Sequence, residues 1–162
     1  MKRGIVLSAL AALAISGAAW ADYSMKRMGA WLVTASGDRF GDAGLYSAMV
    51  PMNGDYFLQM ECRDKKLTLN LDPQGMALRE DDTFFFKFRV DRRKLLSLVG
   101  EVKGQRIVID QQNIRLLQLV RDIRSGAEVG IQMEGSRITE AVVRIDGADR
   151  ALADIARNCP LD

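Results

Sequence analysis

The chain has 162 residues, of which 48% are hydrophobic and 27% are charged, and its formal net charge is +2. This length suits a single domain, and the near balance of charges gives no argument for a nucleic-acid partner. The sequence contains no histidine, which removes the commonest general base and the usual zinc ligand. We therefore expect a protein that is not an enzyme, and we assign no catalytic residue, metal ligand or cofactor.

Residues 1–21 have the features of a cleaved signal peptide. Lys2 and Arg3 are basic, residues 5–18 are small and apolar, and Ala19-Trp20-Ala21 is a typical cleavage site. The apolar run is too short for a membrane span, so we expect no integral membrane segment after cleavage. Residues 22–162 are then expected to be one soluble domain exported to the periplasm. Since Lys2 and Arg3 carry the net charge, that domain is neutral.

About nine short strands are predicted along the rest of the chain, and most alternate apolar with polar side chains. The strands are expected at 30–35, 45–52, 56–63, 67–71, 83–90, 95–99, 106–110, 128–133 and 138–145. Residues 22–29 are expected to be a polar lead-in, Asn53-Gly54 is a strong hairpin signal, and residues 100–104 are expected to form a turn region. Such alternation is typical of an antiparallel sheet with one face in water.

Two amphipathic helices are predicted in the second half. The first covers about 111–124 and follows Asp110, which can cap it. Its expected apolar arc consists of Leu116, Leu117, Leu119, Val120 and Ile123. The second runs from Ala148 to Cys159. The predicted fold class is α+β: mainly antiparallel β with a sandwich-like sheet core and the two helices packed at its side.

The two cysteines are expected to be joined. Cys62 lies on the apolar face of strand 56–63, and Cys159 lies in register with the apolar face of the last helix. In an oxidising compartment such a lone pair usually forms a disulfide bond. We therefore predict a Cys62–Cys159 disulfide that tethers the C-terminal helix. The alternative is a free thiol, but a reactive cysteine favours a basic or helix N-terminal setting, and Cys159 ends a helix.

A basic run lies at the end of strand 83–90. Its five cations are Lys87, Arg89, Arg92, Arg93 and Lys94. We predict that Arg89, Arg92 and Arg93 bind a partner, because several arginines can converge on one phosphate, carboxylate or acidic protein surface. The alternative is that Arg89 forms a structural ion pair with Asp91 and the other cations are solvated.

Three other groups of side chains have a chemical and a structural interpretation. Glu80-Asp81-Asp82 offers paired carboxylates, but these are consecutive in a loop and are expected to be solvated. Five methionines, whose thioethers can bind Cu(I) or fill gaps in a core, are Met25, Met28, Met49, Met52 and Met60. Four aromatic residues that either line a ligand cleft or belong to the core are Trp31, Tyr46, Tyr56 and Phe57.

The second half of the chain, mainly residues 60–159, resembles the VasI-like family of small exported proteins associated with type VI secretion. The resemblance rests on Phe88-Arg89-Val90-Asp91, on Ile107-Val108-Ile109-Asp110 and on the closing segment from Arg144 to Ala148. Ala151, Leu152 and the two cysteines also fit. The resemblance implies a periplasmic accessory protein of a secretion system.

These observations favour a non-enzymatic periplasmic interaction or accessory protein, belonging to an envelope or secretion apparatus and binding a protein partner in the cell envelope. Two alternatives stay open. An inhibitor or immunity protein would block a periplasmic hydrolase with a protruding loop, for which 72–82 is the candidate. A carrier would hold a small apolar ligand or Cu(I) on its methionine and aromatic faces.

Overall fold

The computed structural model describes residues 22–37, 44–52, 57–72, 77–110, 112, 114–134 and 140–159. These residues form ten strands and three helices. The strands are β1 Asp22–Met28, β2 Trp31–Gly37, β3 Leu45–Pro51, β4 Phe57–Arg63, β5 Lys66–Asp72, β6 Thr83–Val90, β7 Leu96–Lys103, β8 Arg106–Asp110, β9 Glu128–Met133 and β10 Ala141–Arg144. The helices are α1 Ile114–Arg124, α2 Ala148–Ala151 and α3 Ala153–Asn158. The predicted Asn53-Gly54 hairpin turn and Tyr56 lie outside the described residues.

The ten strands form one antiparallel sheet in the order β1-β2-β3-β4-β5-β8-β7-β6-β9-β10. The expected mainly antiparallel β fold is confirmed. The strands do not divide into the two sheets of a sandwich, because β5 pairs with β8 and joins the two halves: Leu69 lies opposite Ile109, and Leu71 lies opposite Ile107. This pairing skips β6 and β7 in sequence, so local patterning could not predict it.

Residues 22–28 form strand β1, where the sequence predicted a polar lead-in. β1 pairs with β2 along its whole length, from Asp22 opposite Gly37 to Met28 opposite Trp31. Lys26 pairs with buried Val33 and yet is exposed, so the strand has no apolar alternation that would reveal it. A charge on the buried side of an edge strand discourages pairing with another chain.

Strand β7 is longer than predicted because Gly100 lies inside it and not in a turn. A Cβ atom at Gly100 would lie 2.7 Å from Cγ2 of Ile107 and 3.1 Å from Cγ1 of Ile109. The glycine therefore makes room for two core side chains of β8. The turn between β7 and β8 is formed by residues 104 and 105.

The three helices cover the buried face of the sheet. α1 packs on β6 and β7, and its buried residues are Leu116, Leu119, Val120 and Ile123. The predicted single helix from Ala148 to Cys159 is two short helices, α2 and α3, separated at Leu152. α2 lies against β1 and β2, whereas α3 lies against β3 and β4. The break at Leu152 thus lies where the C-terminal segment passes from the β1–β2 pair to the β3–β4 pair.

The two ends of the strand order are joined by hydrogen bonds to the backbone carbonyls of Ile145 and Asp146. The Ala30 N–H donates to the Asp146 carbonyl at 3.0 Å, and Nε1 of fully buried Trp31 donates to the Ile145 carbonyl at 3.2 Å. These bonds attach the β1–β2 turn to the segment after β10. A single core therefore extends across both halves of the sheet. Within the described residues, no helix is long and apolar enough to span a membrane.

Candidate functional site: a cavity on the outer face of the sheet

The predicted disulfide is confirmed, and it links the C-terminal helical segment to the sheet. Cys62 and Cys159 are joined at an S–S distance of 2.04 Å, with their Cα atoms 5.8 Å apart. Both residues are almost fully buried. Cys62 lies on β4 between Tyr46 and Leu67 of the neighbouring strands. The bond therefore fixes the end of α3 to the middle of the sheet's first half and exposes no sulfur to a partner.

The basic run consists of two half-buried side chains, Lys87 and Arg93, and three exposed ones. The Arg93 guanidinium forms an ion pair with the Asp122 carboxylate at 3.1 Å and donates to the Asp122 carbonyl at 3.1 Å. It also donates to the hydroxyl and the carbonyl of Ser125, at 2.9 and 3.0 Å. Arg93 thus binds the C-terminal end of α1, whereas Arg89 and Arg92 are exposed.

We expect Arg93→Ala to lower the free energy of unfolding by about 1–2 kcal/mol, because hydrogen bonds to a charged group stabilise a fold by roughly that amount. Arg92→Ala is the matched control and should change it by less than about 0.5 kcal/mol, as for an ordinary surface substitution. Urea denaturation of the two variants measures the difference. Equal stability of both would contradict the structural role of Arg93.

Arg89 is left without an internal partner. The Asp91 carboxylate accepts hydrogen bonds from the backbone N–H groups of Ala127 at 3.1 Å and Glu128 at 3.0 Å, so the alternative Arg89–Asp91 ion pair is not formed. No ion pair or side-chain hydrogen bond joins Arg89 to another residue that the structure describes. Its guanidinium is therefore available to a ligand.

A cavity lies next to Arg89 on the outer face of the sheet, which is the face away from the helices. Gly130 of β9 is one of its lining residues and lies directly opposite Arg89 of β6 and Val142 of β10. The cavity has a volume of about 510 Å³. Its lining includes the side chains of Lys87, Arg89, Leu95, Glu128, Gln132, Glu140 and Val142. We call this feature the Gly130 cavity.

The fold does not explain Gly130. A Cβ atom there would meet only one atom within 4 Å, the Arg89 carbonyl oxygen at 3.7 Å, which is an ordinary contact. At Gly126, in contrast, the added atom would lie 2.3 Å from Cγ1 of Val90. Glycine inside a strand weakens the sheet and often marks a place where a ligand or another backbone approaches closely. Gly130 is therefore a glycine that close packing within the described residues does not require.

The charges around the Gly130 cavity are of both signs and are only partly paired. Lys87 forms an ion pair with Glu134 at 2.6 Å, and the Asp91 carboxylate is used by backbone N–H groups. This leaves Arg89 on one side and the carboxylates of Glu128 and Glu140 on the other, all exposed. Among the described residues, the cavity thus offers the unpaired guanidinium of Arg89, the carboxylates of Glu128 and Glu140, and the apolar side chains of Val142 and Leu95. The amide of Gln132 also lines it.

The described methionines and aromatic residues do not share one exposed surface, although Met28 lies opposite Trp31. Residues three apart on a strand point to opposite faces, so Met25 is 56% exposed while Met28 is partly buried against the core. Met60 and Trp31 are fully buried in that core. Within the described part of the chain, no group of three or more histidine, cysteine, aspartate or glutamate side chains could hold a metal ion.

The Gly130 cavity was not predicted from the sequence, although Gly130 itself is visible there. Gly130 takes an outward-facing position in strand 128–133, and a glycine inside a strand often marks a bulge, a tight bend or the close approach of another molecule. The contributions of Val142 and Glu140 could not be seen without the β9–β10 register. Comparison with protein-family models, curated proteins and solved structures finds no match to this chain, so the VasI-like resemblance stays a prediction.

Proposed function

We propose that the protein is a non-enzymatic periplasmic interaction protein that binds a protein partner of the cell envelope through the Gly130 cavity. One observation carries the proposal: a strand glycine that the fold does not need lies beside an arginine with no partner among the described residues. Protein interfaces are organised around such an anchor pocket with a polar rim. The signal-peptide features of residues 1–21 and the disulfide support an exported protein.

The predicted partner-binding arginines have different roles in the proposed interface. Arg89 lies at the cavity and Arg92 is exposed in the following turn, so both can meet an acidic group of the partner. Arg93 contributes indirectly, because it holds α1 against the segment that contains Asp91. An accessory role in a secretion system, as the VasI-like resemblance implies, is one form of this function.

An inhibitor or immunity protein of a periplasmic hydrolase is the alternative, and the identity of the partner decides between them. Its candidate loop, 72–82, lies partly outside the described residues, since 73–76 are not among them. The Asp82 carbonyl accepts from the Val102 N–H at 2.8 Å, and the Glu80 carboxylate accepts from the Gly104 N–H at 2.9 Å. This end of the loop is therefore fixed to β7 and its turn.

We expect Gly130→Val to lower partner capture about tenfold or more, which corresponds to about 1.4 kcal/mol of binding free energy. The valine side chain covers the backbone at Gly130 and takes up part of the cavity. The substitution should raise the free energy of unfolding by up to ~1 kcal/mol, because a β-branched residue replaces a glycine in a strand. Crosslinking in cells, followed by purification and quantification of the crosslinked partner, measures the loss.

Ser97→Val is the matched control, because Ser97 is exposed on β7 opposite Lys87 and is not part of the cavity lining. This variant should keep normal capture. Arg89→Glu should weaken capture and make the remainder less dependent on salt, since it removes a charge attraction. Capture that is unchanged in Gly130→Val would exclude the Gly130 cavity as the partner site.

A further inference from the structure

We infer that a second binding site lies on the outer face of β4, β5 and β8, and that it takes a carboxylate with a single negative charge. The guanidinium of Arg106 and the side-chain amide of Asn70 are the groups that hold this ligand. Both residues line a pocket with a volume of about 350 Å³, which we call the Asn70 pocket. It shares no lining residue with the Gly130 cavity, so the inference goes beyond the proposed function and is independent of it.

Asn70 is a polar side chain that the sheet buries without giving it a hydrogen-bond partner. It alternates with core residues Leu69 and Leu71 on β5 and is only 6% exposed. No hydrogen bond joins its side chain to another residue that the structure describes. The amide is not sealed off, because the only enclosed side-chain nitrogen or oxygen without a partner in the described ranges is Nε of Arg124. Since a buried amide without a hydrogen bond is costly, this position favours a ligand that bonds to it.

Arg106 is positioned beside Asn70 by hydrogen bonds that cross the sheet. Nη1 of Arg106 on β8 donates to Oε1 of Gln59 on β4 at 3.4 Å. Because β5 lies between these two strands and Asn70 lies directly opposite Gln59, the Arg106 side chain reaches across β5 at Asn70. Nε2 of Gln59 donates in turn to the hydroxyl of buried Ser47 at 2.7 Å. This second bond fixes the orientation of the Gln59 amide, and with it the acceptor that holds Arg106.

The donors of Arg106 and Asn70 fit the oxygens of an anion. Arg106 is exposed, and within the described residues it has no ion pair and only the one long hydrogen bond to Gln59. Most of its five N–H donors are therefore available. The planar fork of a guanidinium matches the two oxygens of a carboxylate. The NH₂ group of Asn70 provides a further donor to the same carboxylate.

The charges of the Asn70 pocket favour a ligand with one negative charge. Three cations line it, Arg63, Lys66 and Arg106, and so do two carboxylates, Glu61 and Asp64. Arg63 and Glu61 form an ion pair at 3.1 Å, which leaves two cations against one carboxylate and a net charge of +1. A carboxylate neutralises this charge. A phosphate monoester, which carries about −1.5 to −2 at neutral pH, would exceed it and would be repelled by Glu61 and Asp64.

The remaining lining residues leave room for a short apolar stem on the ligand. Val108 lies directly opposite Asn70, and Thr68 lies two residues before it on β5, so both offer methyl groups next to the amide. Asp110 lies opposite Thr68 but does not line the pocket, and its carboxylate accepts a hydrogen bond from the Gln112 backbone N–H at 2.9 Å. A short aliphatic acid and the side chain of an aspartate or glutamate share this chemistry.

Titration of the purified, oxidised and isotope-labelled chain with sodium propionate tests the inference. We expect saturable shifts of the side-chain N–H signals of Asn70 and Arg106 in NMR spectra, and none with sodium chloride at the same ionic strength. Arg106→Lys keeps the charge but loses the planar fork, and Asn70→Ala loses the amide. Each should weaken binding about tenfold or more, because each removes hydrogen bonds to a charged group. The signal that remains in each variant measures its affinity.

Lys103→Gln is the matched control, because Lys103 lies directly opposite Arg106 on β7 and does not line the Asn70 pocket. It should bind propionate like the wild type. A capped tripeptide with a central glutamate distinguishes the two sources of the carboxylate. Tighter binding of the peptide than of propionate would assign the site to an acidic side chain of a protein, and the reverse would assign it to a free acid.

Three results would overturn the inference. The first is that neither propionate nor the peptide gives saturable shifts, or that chloride gives the same ones. The second is that inorganic phosphate binds more tightly than propionate. The third is that Arg106→Lys and Asn70→Ala both bind like the wild type. None of these results bears on partner capture at the Gly130 cavity, which Gly130→Val tests separately.

Discussion

Cys62→Ala and Cys159→Ala should each lower the free energy of unfolding by about 2–5 kcal/mol, the usual cost of removing a native disulfide. The bond joins residues separated by 97 positions, so it restricts most of the unfolded chain. For a loop of ~100 residues the chain-entropy estimate is about 4.7 kcal/mol. Because domains of this size have a total stability of roughly 5–15 kcal/mol, we expect a strong drop in melting temperature and a lower level of the protein in cells.

Alanine is the substitution of choice because both cysteines are buried, and a serine would add the cost of an unsatisfied hydroxyl. The double variant is the control: once one cysteine is lost the bond is gone, so the second loss should add little. Thermal unfolding of the oxidised chain, followed by circular dichroism, measures all three variants. Two results would contradict a disulfide bond between β4 and the end of α3. One is that the stability losses add in the double variant, and the other is that the intact mass of the oxidised wild type shows two free thiols.

The disulfide was predictable because two local patterns agree independently. Leu58, Met60 and Cys62 alternate along one strand, and Cys159 continues the apolar face of the last helical segment. Each pattern depends only on the periodicity of a single element. In the same way, the alternation in residues 83–90 predicted β6 with its correct bounds. Local periodicity thus gave most strands and the cysteine pair.

The rest of the fold depends on contacts between distant segments. Strand β1 is set by its pairing with β2, and Gly100 lies within β7 because Ile107 and Ile109 occupy the space that its side chain would fill. Arg93 appeared equivalent to Arg92 until α1 placed Asp122 beside it. None of these relations leaves a trace in the periodicity of a single segment, so they follow only from the assembled sheet.

The Gly130 cavity combines both kinds of information. The glycine itself is visible in the sequence, but its meaning depends on which residues stand opposite it across two strands. Arg89 and Val142 lie far apart in the sequence. The pairing of β9 with both β6 and β10 brings them to either side of Gly130. A sequence pattern can therefore mark such a site without showing what surrounds it.

Gly29→Ala should lower the free energy of unfolding by about 3 kcal/mol or more. Gly29 has a φ of +64°, where an alanine costs about 1–2 kcal/mol. Its Cβ would also lie 2.2 Å from the Asp146 carbonyl oxygen, and relieving such a clash by moving backbone costs a further ~1–3 kcal/mol. The displaced segment carries the hydrogen bonds from Ala30 and Trp31 that join the two ends of the strand order.

Gly104→Ala is the matched control for this prediction. Gly104 has a nearly identical φ of +66°, but a Cβ atom there would meet nothing within 4 Å. It should therefore show the conformational cost alone, about 1–2 kcal/mol.

Urea denaturation compares the two variants, and the fluorescence of Trp31, which is buried in the wild type, reports the junction directly. We expect a red shift in Gly29→Ala and none in Gly104→Ala, because only the first displaces the backbone that receives the indole N–H. If both variants lost the same stability and Trp31 fluorescence stayed unchanged, the backbone at Asp146 would move aside without a measurable cost in free energy. The two ends of the sheet would then be held together by the core alone.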